Sequence, residues 1–145
     1  MSIAALAIAS CGGASRENDG GSDSGGGGGN GVSIGVIHHE SQQPVITYPS
    51  IVRNNVPFVI TVHTYGDSCV SFERDDVALT DSGGQITPYD RRVDQGSCSG
   101  SVDLIPHVIS AMFRTPGTKI ITVNGRRITG SQDQPITATV NVLIQ

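Results

Sequence analysis

The sequence predicts an all-β domain, an antiparallel sandwich of two sheets with about seven to nine short strands. Composition is the first observation behind this prediction. From position 32 onward, Val, Ile and Thr supply 39 of 114 residues, whereas Ala, Leu, Glu and Lys together supply nine. The abundant residues favour strands, and the scarce ones include the strongest helix formers.

Residue periodicity and turn signals are the second and third observations. Apolar and polar residues alternate in several segments, as in residues 136–144, and no segment shows a sustained helical period. Pro residues lie mostly at expected strand ends, where no ladder donor is lost. Asn124-Gly125 predicts a hairpin turn, or else a bulge within one long strand. We predict strands near residues 33–39, 44–48, 57–65, 69–73, 76–80, 85–89, 102–113, 118–123 and 136–144.

A Gly-rich segment marks the boundary in front of this domain. Ten of the 19 Gly residues fall within residues 12–31, where Ala14 is the one apolar side chain. Such a segment cannot bury enough apolar surface to offset its chain entropy, so we expect a flexible linker.

Small apolar residues precede the linker and end in Ile8-Ala9-Ser10-Cys11. This segment resembles the lipobox of bacterial lipoproteins, in which an aliphatic residue and two small residues precede an obligatory Cys. The resemblance implies cleavage before Cys11, a diacylglycerol thioether on its sulfur and an acylated amino terminus. Several acyl chains give stable membrane residence. Because the apolar segment is short and Arg16 is the first basic residue, we expect the natural chain to start upstream of Met1.

The resemblance gives the predicted domain organisation and location. We predict a signal peptide at residues 1–10, a lipidated Cys with a Gly/Ser-rich linker at residues 11–31, and the sandwich at residues 32–145. The protein would be lipid-anchored in the bacterial cell envelope, at the outer membrane or a periplasm-facing membrane surface.

Cysteine usage supports the same compartment. The chain has three Cys, and an odd count in an exported protein leaves one thiol to explain. With lipid on Cys11, Cys69 and Cys98 remain as a pair in turn-like surroundings, so we predict a disulfide that ties strand ends or loops. The alternative is a zinc site made by the two Cys with His, but no close C-x-x-C or H-x-x-x-H pair is present.

The end of the chain carries a second resemblance. FRTPGTKIITVNGR and PITATVNVLIQ resemble the last two strands of bacterial immunoglobulin-like domains. The resemblance implies an immunoglobulin-like sandwich. The chain departs from antibody-type domains, because it has no Trp and because Cys69 and Cys98 are too close in sequence for the usual inter-sheet bridge.

Charge and motif content narrow the function classes. A net charge of −4 disfavours non-specific nucleic-acid binding, and no apolar run reaches the roughly 20 residues of a membrane-spanning helix. The motifs S-x-x-K and H-E-x-x-H are absent, and we predict no enzyme activity and no cofactor. The Asp residues cluster in turn-like segments and are interpreted as capping or solvated groups: Asp67, Asp75, Asp76, Asp81, Asp90, Asp94 and Asp103.

The histidines, with Glu40, are the candidate metal ligands. His38 and His39 are adjacent, so on a strand they point to opposite faces. His107 shares its predicted face with apolar residues, which indicates a core or boundary His with satisfied hydrogen bonds. A blue-copper site needs two His, a Cys and usually a Met near one end, and His107 and Met112 face opposite ways. We therefore predict no metal site.

The remaining surface features indicate binding partners only weakly. Arg91-Arg92 and Arg126-Arg127 are interpreted as solvated loop charges, with lipid headgroups or an acidic partner as the alternative. An exposed row of Thr61, His63 and Tyr65 would indicate sugar binding, although Trp is absent.

The predicted function is a non-catalytic binding, adhesion or assembly module of the cell envelope that acts through its loops or a sheet edge. Expected partners are membrane lipid through Cys11 and another envelope protein or a polysaccharide, with no nucleic acid. A metal-binding or carbohydrate-binding envelope protein is the alternative, and a small hydrolase is the least favoured class.

Overall fold

The computed structural model describes residues 30–145, which form ten strands and no helix. The all-β prediction is confirmed. The predicted signal peptide, Cys11 and almost all of the predicted linker lie outside the described residues. The strands are β1 Gly31–Ile34, β2 Val36–His39, β3 Val45–Thr47, β4 Ile51–Val52, β5 Phe58–Gly66, β6 Val70–Thr80, β7 Gly83–Arg92, β8 Asp103–Ala111, β9 Gly117–Thr129 and β10 Gln132–Ile144.

Two sheets pack face to face, as a sandwich requires. The large sheet has the order β1-β7-β9-β10-β4, with β2 pairing with β9 and β6 pairing with β7, and the small sheet has the order β3-β5-β8. The small sheet is antiparallel, but β7–β9, β2–β9 and β4–β10 are parallel pairs. The prediction of wholly antiparallel sheets is therefore wrong for the large sheet. The chain leaves this sheet after β7, forms β8 in the small sheet and returns beside β7 in the same direction.

Several strand boundaries differ from the predicted ones. The segment predicted as two strands before residue 80 is the single strand β6, with an irregular register between Phe72 and Arg74. The predicted first strand is divided at Gly35, and β4 was not predicted. The hairpin predicted at Asn124-Gly125 is absent, because β9 continues through both residues in unbroken register with β10 and the chain turns at Gly130.

The alternation predicted for the last strand is confirmed. Val140, Val142 and Ile144 are buried, whereas Thr137 and Thr139 are exposed. The core between the sheets is aliphatic with two Phe rings: Ile37, Val52, Phe58, Ile60, Val62, Ile86, Ile109, Ala111, Phe113, Ile121, Val123, Val140, Val142 and Ile144. Within residues 30–145, there is no helix that could cross a lipid bilayer.

A disulfide joins Cys69 and Cys98, with their Cα atoms 5.4 Å apart. Cys69 lies in the turn between β5 and β6, and Cys98 lies in the loop between β7 and β8. A backbone hydrogen bond joins the same two segments, because the Val93 amide donates to the Cys69 carbonyl at 2.9 Å. The bond ties a strand end to a loop, as the sequence predicts.

Candidate functional site

A fully buried histidine connects the two sheets. His107 lies on β8 of the small sheet, and its two ring nitrogens face carboxylates of the large sheet. Nδ1 lies 2.7 Å from Oδ1 of Asp75 on β6, and Nε2 lies 3.0 Å from Oδ1 of Asp90 on β7. The hydroxyl of Thr64 on β5 lies 3.2 Å from the same Nε2. We call Thr64, Asp75, Asp90 and His107 the cross-sheet cluster.

The strand registers bring these polar side chains into the core. Asp75 pairs with Pro88 on β7, and Asp90 follows Pro88 by two residues, so both carboxyls share the face that also carries Ile86. His107 pairs with Val62, whose side chain is fully buried. Alternation along each strand therefore points all three groups between the sheets.

The surroundings of His107 favour the protonated imidazole. Burial by itself would lower the pKa of His107, but hydrogen bonds to Asp90 and Asp75 and the charges of these carboxylates together outweigh it and raise the pKa. Because both nitrogens face carboxylate oxygens, both act as donors. The ring of Phe72, with its centroid 5.0 Å from that of His107, packs against the imidazolium.

This arrangement does not support nucleophilic catalysis by Thr64. A general base needs a free ring nitrogen to take the hydroxyl proton, and here the N–H of Nε2 is directed to Asp90 as well as to Thr64. Thr64 is also fully buried, so no substrate reaches its hydroxyl. The cluster acts as an ionic link between the sheets.

A pocket of about 210 Å³ lies beside the cluster, at the break between β1 and β2. Asp90 belongs to both features, because its Oδ1 bonds His107 and the residue also lines the pocket. No donor among residues 30–145 bonds the second oxygen, Oδ2. The pocket is lined by Ser33, Val36, His39, Tyr65, Gly66, Asp67, Val70, Asp90, Arg92, Val102, Arg126 and Ile128.

Because Gly35 has no side chain, the side chains of Asp90 and Thr64 can lie directly against its backbone. A Cβ added to Gly35 would lie 2.9 Å from Asp90 Oδ2 and 2.3 Å from the Thr64 methyl carbon. Its amide donates to the Pro88 carbonyl at 2.8 Å, and its carbonyl accepts from the Arg126 amide at 3.0 Å. The break between β1 and β2 therefore places backbone, with no side chain, against the cluster.

Each arginine of the pocket has its own carboxylate. Arg92 donates to Asp67 at 2.9 Å, and Arg126 donates to Asp133 and, at 2.6 Å, to the Ile34 carbonyl. Burial tends to raise the pKa of Asp67, but the Cys69 amide and Arg92 outweigh it and lower the pKa, so this carboxylate is ionised. Among the residues that the structure describes, Arg92 Nε is a buried donor with no partner.

The structure corrects part of the Asp interpretation. Asp67 and Asp94 do accept from the backbone amides of Cys69 and Gly96, two residues further on, as capping residues do. Asp81 instead accepts from the amide of Arg114, which is distant in sequence. Asp75 and Asp90, predicted to be solvated turn residues, instead lie on strands and bind His107. The prediction that His107 is a core His with satisfied hydrogen bonds is confirmed.

The basic pairs were also placed wrongly by the sequence. Arg91-Arg92 and Arg126-Arg127 lie on β7 and β9, not in loops. Arg91 makes two bonds of 2.6 Å to Glu73 across the neighbouring strands. Both pairs therefore contribute to sheet surfaces in which the charges are largely compensated.

The row of residues ending in Tyr65 and the group of Asp67 with the two cysteines are the remaining candidates that the structure places. Tyr65 is buried and donates to the Gln43 carbonyl at 2.8 Å, so the exposed row that would indicate sugar binding is not formed. Asp67 lies within 4.8 Å of the sulfurs of Cys69 and Cys98, but these sulfurs are bonded to each other and the carboxylate is held by Arg92.

Comparison with known proteins gives no relative from which a function could be inferred. No protein-family model, no curated protein and no solved structure matches the chain. The resemblances to lipoproteins and to immunoglobulin-like domains therefore stay predictions.

Proposed function

We propose that the protein is a lipid-anchored, non-catalytic binding module of the bacterial cell envelope. The observation that carries this proposal is the Cys69–Cys98 bond. Of the three cysteines it leaves Cys11, which stands in the lipobox-like segment, as the remaining thiol. Disulfides persist in the periplasm and outside the cell and are rare in the cytosol, so the bond and the lipobox-like segment agree on one compartment.

The charged side chains of the cluster and the pocket are paired with one another, and this pairing supports a binding role rather than a catalytic one. Both ring nitrogens of His107 face carboxylates, those of Asp75 and Asp90, and the arginines of the pocket are paired with carboxylates. A general base or nucleophile needs a group free to exchange a proton with a substrate. The pocket itself offers a concave, largely apolar surface with a few polar groups, which is typical of ligand sites.

Intact mass of the full chain extracted from membranes tests the anchor. We expect an amino-terminal Cys11 that carries acyl chains, and a mass two hydrogens lower than that of the reduced protein because Cys69 and Cys98 are joined. The Cys11→Ser variant serves as the control, since it should lose the lipid and the membrane association while it keeps the disulfide. An unprocessed chain in the soluble cytosolic fraction with three free thiols would contradict the proposal.

A further inference from the structure

We propose that the pocket beside Asp90 binds a small organic cation, a primary ammonium group on a short aliphatic body, with Asp90 Oδ2 as the acceptor of the ammonium N–H. This inference rests on the proposed function in one respect, because it takes the domain to be a binding module. It names the ligand class and the residue that recognises it.

The distribution of charge around the pocket points to a cation. Arg92 is balanced by Asp67, and Arg126 is balanced by Asp133. The cross-sheet cluster differs, because two carboxyls, those of Asp75 and Asp90, face the single imidazolium of His107. The cluster therefore holds one more carboxyl than the single imidazole can neutralise, and Asp90 Oδ2, at the inner wall of the pocket, accepts no hydrogen bond from residues 30–145.

Asp90 is placed so that it can hold both His107 and a ligand. Its Oδ1 is 3.0 Å from Nε2 of His107, while Oδ2 lies beside Gly35, which has no side chain to cover it. A carboxylate accepts several hydrogen bonds, and a bond from an ammonium is charge-assisted. Ligand binding would thus add a second donor without displacing His107.

The walls of the pocket fit a short alkyl group. Val36, Val70, Val102 and Ile128 line it together with the Tyr65 ring. An apolar cavity of about 150 Å³ accommodates benzene, so a space of about 210 Å³ is suited to a body of a few carbon atoms. A metal ion is a poor match, because it needs several oxygen ligands at once, whereas Asp90 offers a single carboxylate oxygen and the carboxylate of Asp67 is held by Arg92.

An anionic ligand is disfavoured although two arginines line the pocket. It would have to compete with Asp67 for Nη1 of Arg92, whose unpartnered Nε is buried away from the surface. It would also compete with Asp133 for Arg126, whose guanidinium donates to the Ile34 carbonyl and to Ser33 as well. It would also approach the unbalanced carboxylate of Asp90.

Titration of the isotope-labelled full chain, followed by amide NMR shifts, tests the proposal. The probes are butylammonium, butyrate and 1-butanol, which share an alkyl chain and differ in charge, at matched ionic strength. We expect butylammonium to shift the amides of Gly35, Gly66 and Val102 in a saturable way. Butyrate and 1-butanol should bind at least about tenfold more weakly, because they lack the charged donor. Binding of butyrate at equal or greater strength, or no saturable shift with any probe, would overturn the proposal.

Two variants locate the site. Asp90→Asn should weaken butylammonium binding about tenfold or more, since it removes the charge of the acceptor. If this variant does not fold, Val102→Trp decides, because Val102 lies outside the cross-sheet cluster and its indole would fill the pocket while Asp90 keeps its charge, which should abolish binding. Val108→Trp is the matched control, since Val108 is 63% exposed and does not line the pocket. Unchanged binding to Val102→Trp would contradict the assignment. The mass measurement of the anchor is independent of these titrations, so either proposal can fail alone.

Discussion

His107 on the small sheet donates from Nε2 to Asp90 on the large sheet over 3.0 Å, and from Nδ1 to Asp75 over 2.7 Å. The imidazole therefore links the two layers of the sandwich by charge in a region that is otherwise aliphatic. Both carboxyls are largely buried with it. Because buried charges are stabilising only when they are paired, the stability of the domain depends on the protonation of one side chain.

Stability should fall as the pH rises through the pKa of His107. Hydrogen bonds and charges from Asp90 and Asp75 raise the folded-state pKa above the ordinary value of about 6.5, despite burial. The folded state therefore holds the proton more tightly than the unfolded state does. The resulting stabilisation is complete below the unfolded-state pKa and is lost as the pH rises through the folded-state pKa. Thr64 and the Phe72 ring, which also face the imidazole, carry no charge.

Urea unfolding across this pH range measures the effect. The free energy of unfolding of the natural chain should decline from weakly acidic to alkaline pH, and the decline should be absent in His107→Gln. A variant of a histidine outside the cluster, His63→Gln, should keep it, because the ring of His63 contacts only the Val45 carbonyl among the hydrogen-bonding groups of residues 30–145. Equal pH dependence in all three proteins would show that His107 is not the group responsible.

Removal of the imidazole should be most costly at weakly acidic pH, where the ring carries its charge. His107→Ala leaves Asp75 and Asp90 facing each other across a cavity, and breaking a buried ion pair by removing one partner costs about 3–5 kcal/mol. His63→Ala, at a half-buried site on the outer face of β5, should cost about 1 kcal/mol or less. Denaturant unfolding at weakly acidic pH compares them. A loss in His107→Ala no larger than in His63→Ala would mean that the cluster contributes little to stability.

Residue patterns were enough to predict the sandwich and its disulfide. β-branched residues fill both sheets, and the buried set Val140, Val142 and Ile144 follows the alternation directly. The disulfide was predictable because both Cys lie beside turn residues and the third, Cys11, stands in the lipobox-like segment. Both features depend on local sequence patterns, so they can be predicted without knowing which strands pair.

The cross-sheet cluster and the parallel pairs could not be predicted in the same way. Asp75, Asp90 and His107 come from three strands, and which of them meet depends on register between distant segments. One local signal was present: Ile86, Pro88 and Asp90 alternate on one face of β7, so extending the predicted strand 85–89 by one residue would have placed Asp90 toward the core.

Gly125 was misread as a turn residue, and its position against Ile37 gives a third prediction. An added Cβ would lie 2.5 Å from Cγ1 of Ile37, a fully buried side chain of β2. Gly125→Ala should therefore destabilise the domain by about 1–3 kcal/mol through overpacking. Gly31→Ala is the control, since a Cβ there meets nothing within 4 Å.

A double variant separates overpacking from loss of backbone freedom at Gly125. Ile37→Ala removes Cγ1, Cγ2 and Cδ1, the three atoms that the added Cβ would meet, so it should recover part of the stability lost in Gly125→Ala, although it costs about 2–5 kcal/mol in the natural background. Thermal or urea unfolding of the four proteins gives the coupling energy. Strict additivity would indicate that Gly125 and Ile37 do not constrain each other.

Loss of the disulfide should destabilise the sandwich by about 3–4 kcal/mol, because the bond closes a loop across a sequence separation of 29. The measurement is urea unfolding of Cys69→Ser/Cys98→Ser beside Cys11→Ser, which should match the natural chain because Cys11 takes no part in the bond. The Ser99 amide also donates to the Ser68 hydroxyl at 2.8 Å, so one hydrogen bond between the β7–β8 loop and the β5–β6 turn should remain in the double variant. A double variant as stable as Cys11→Ser would show that the loop between β7 and β8 is held by these hydrogen bonds alone.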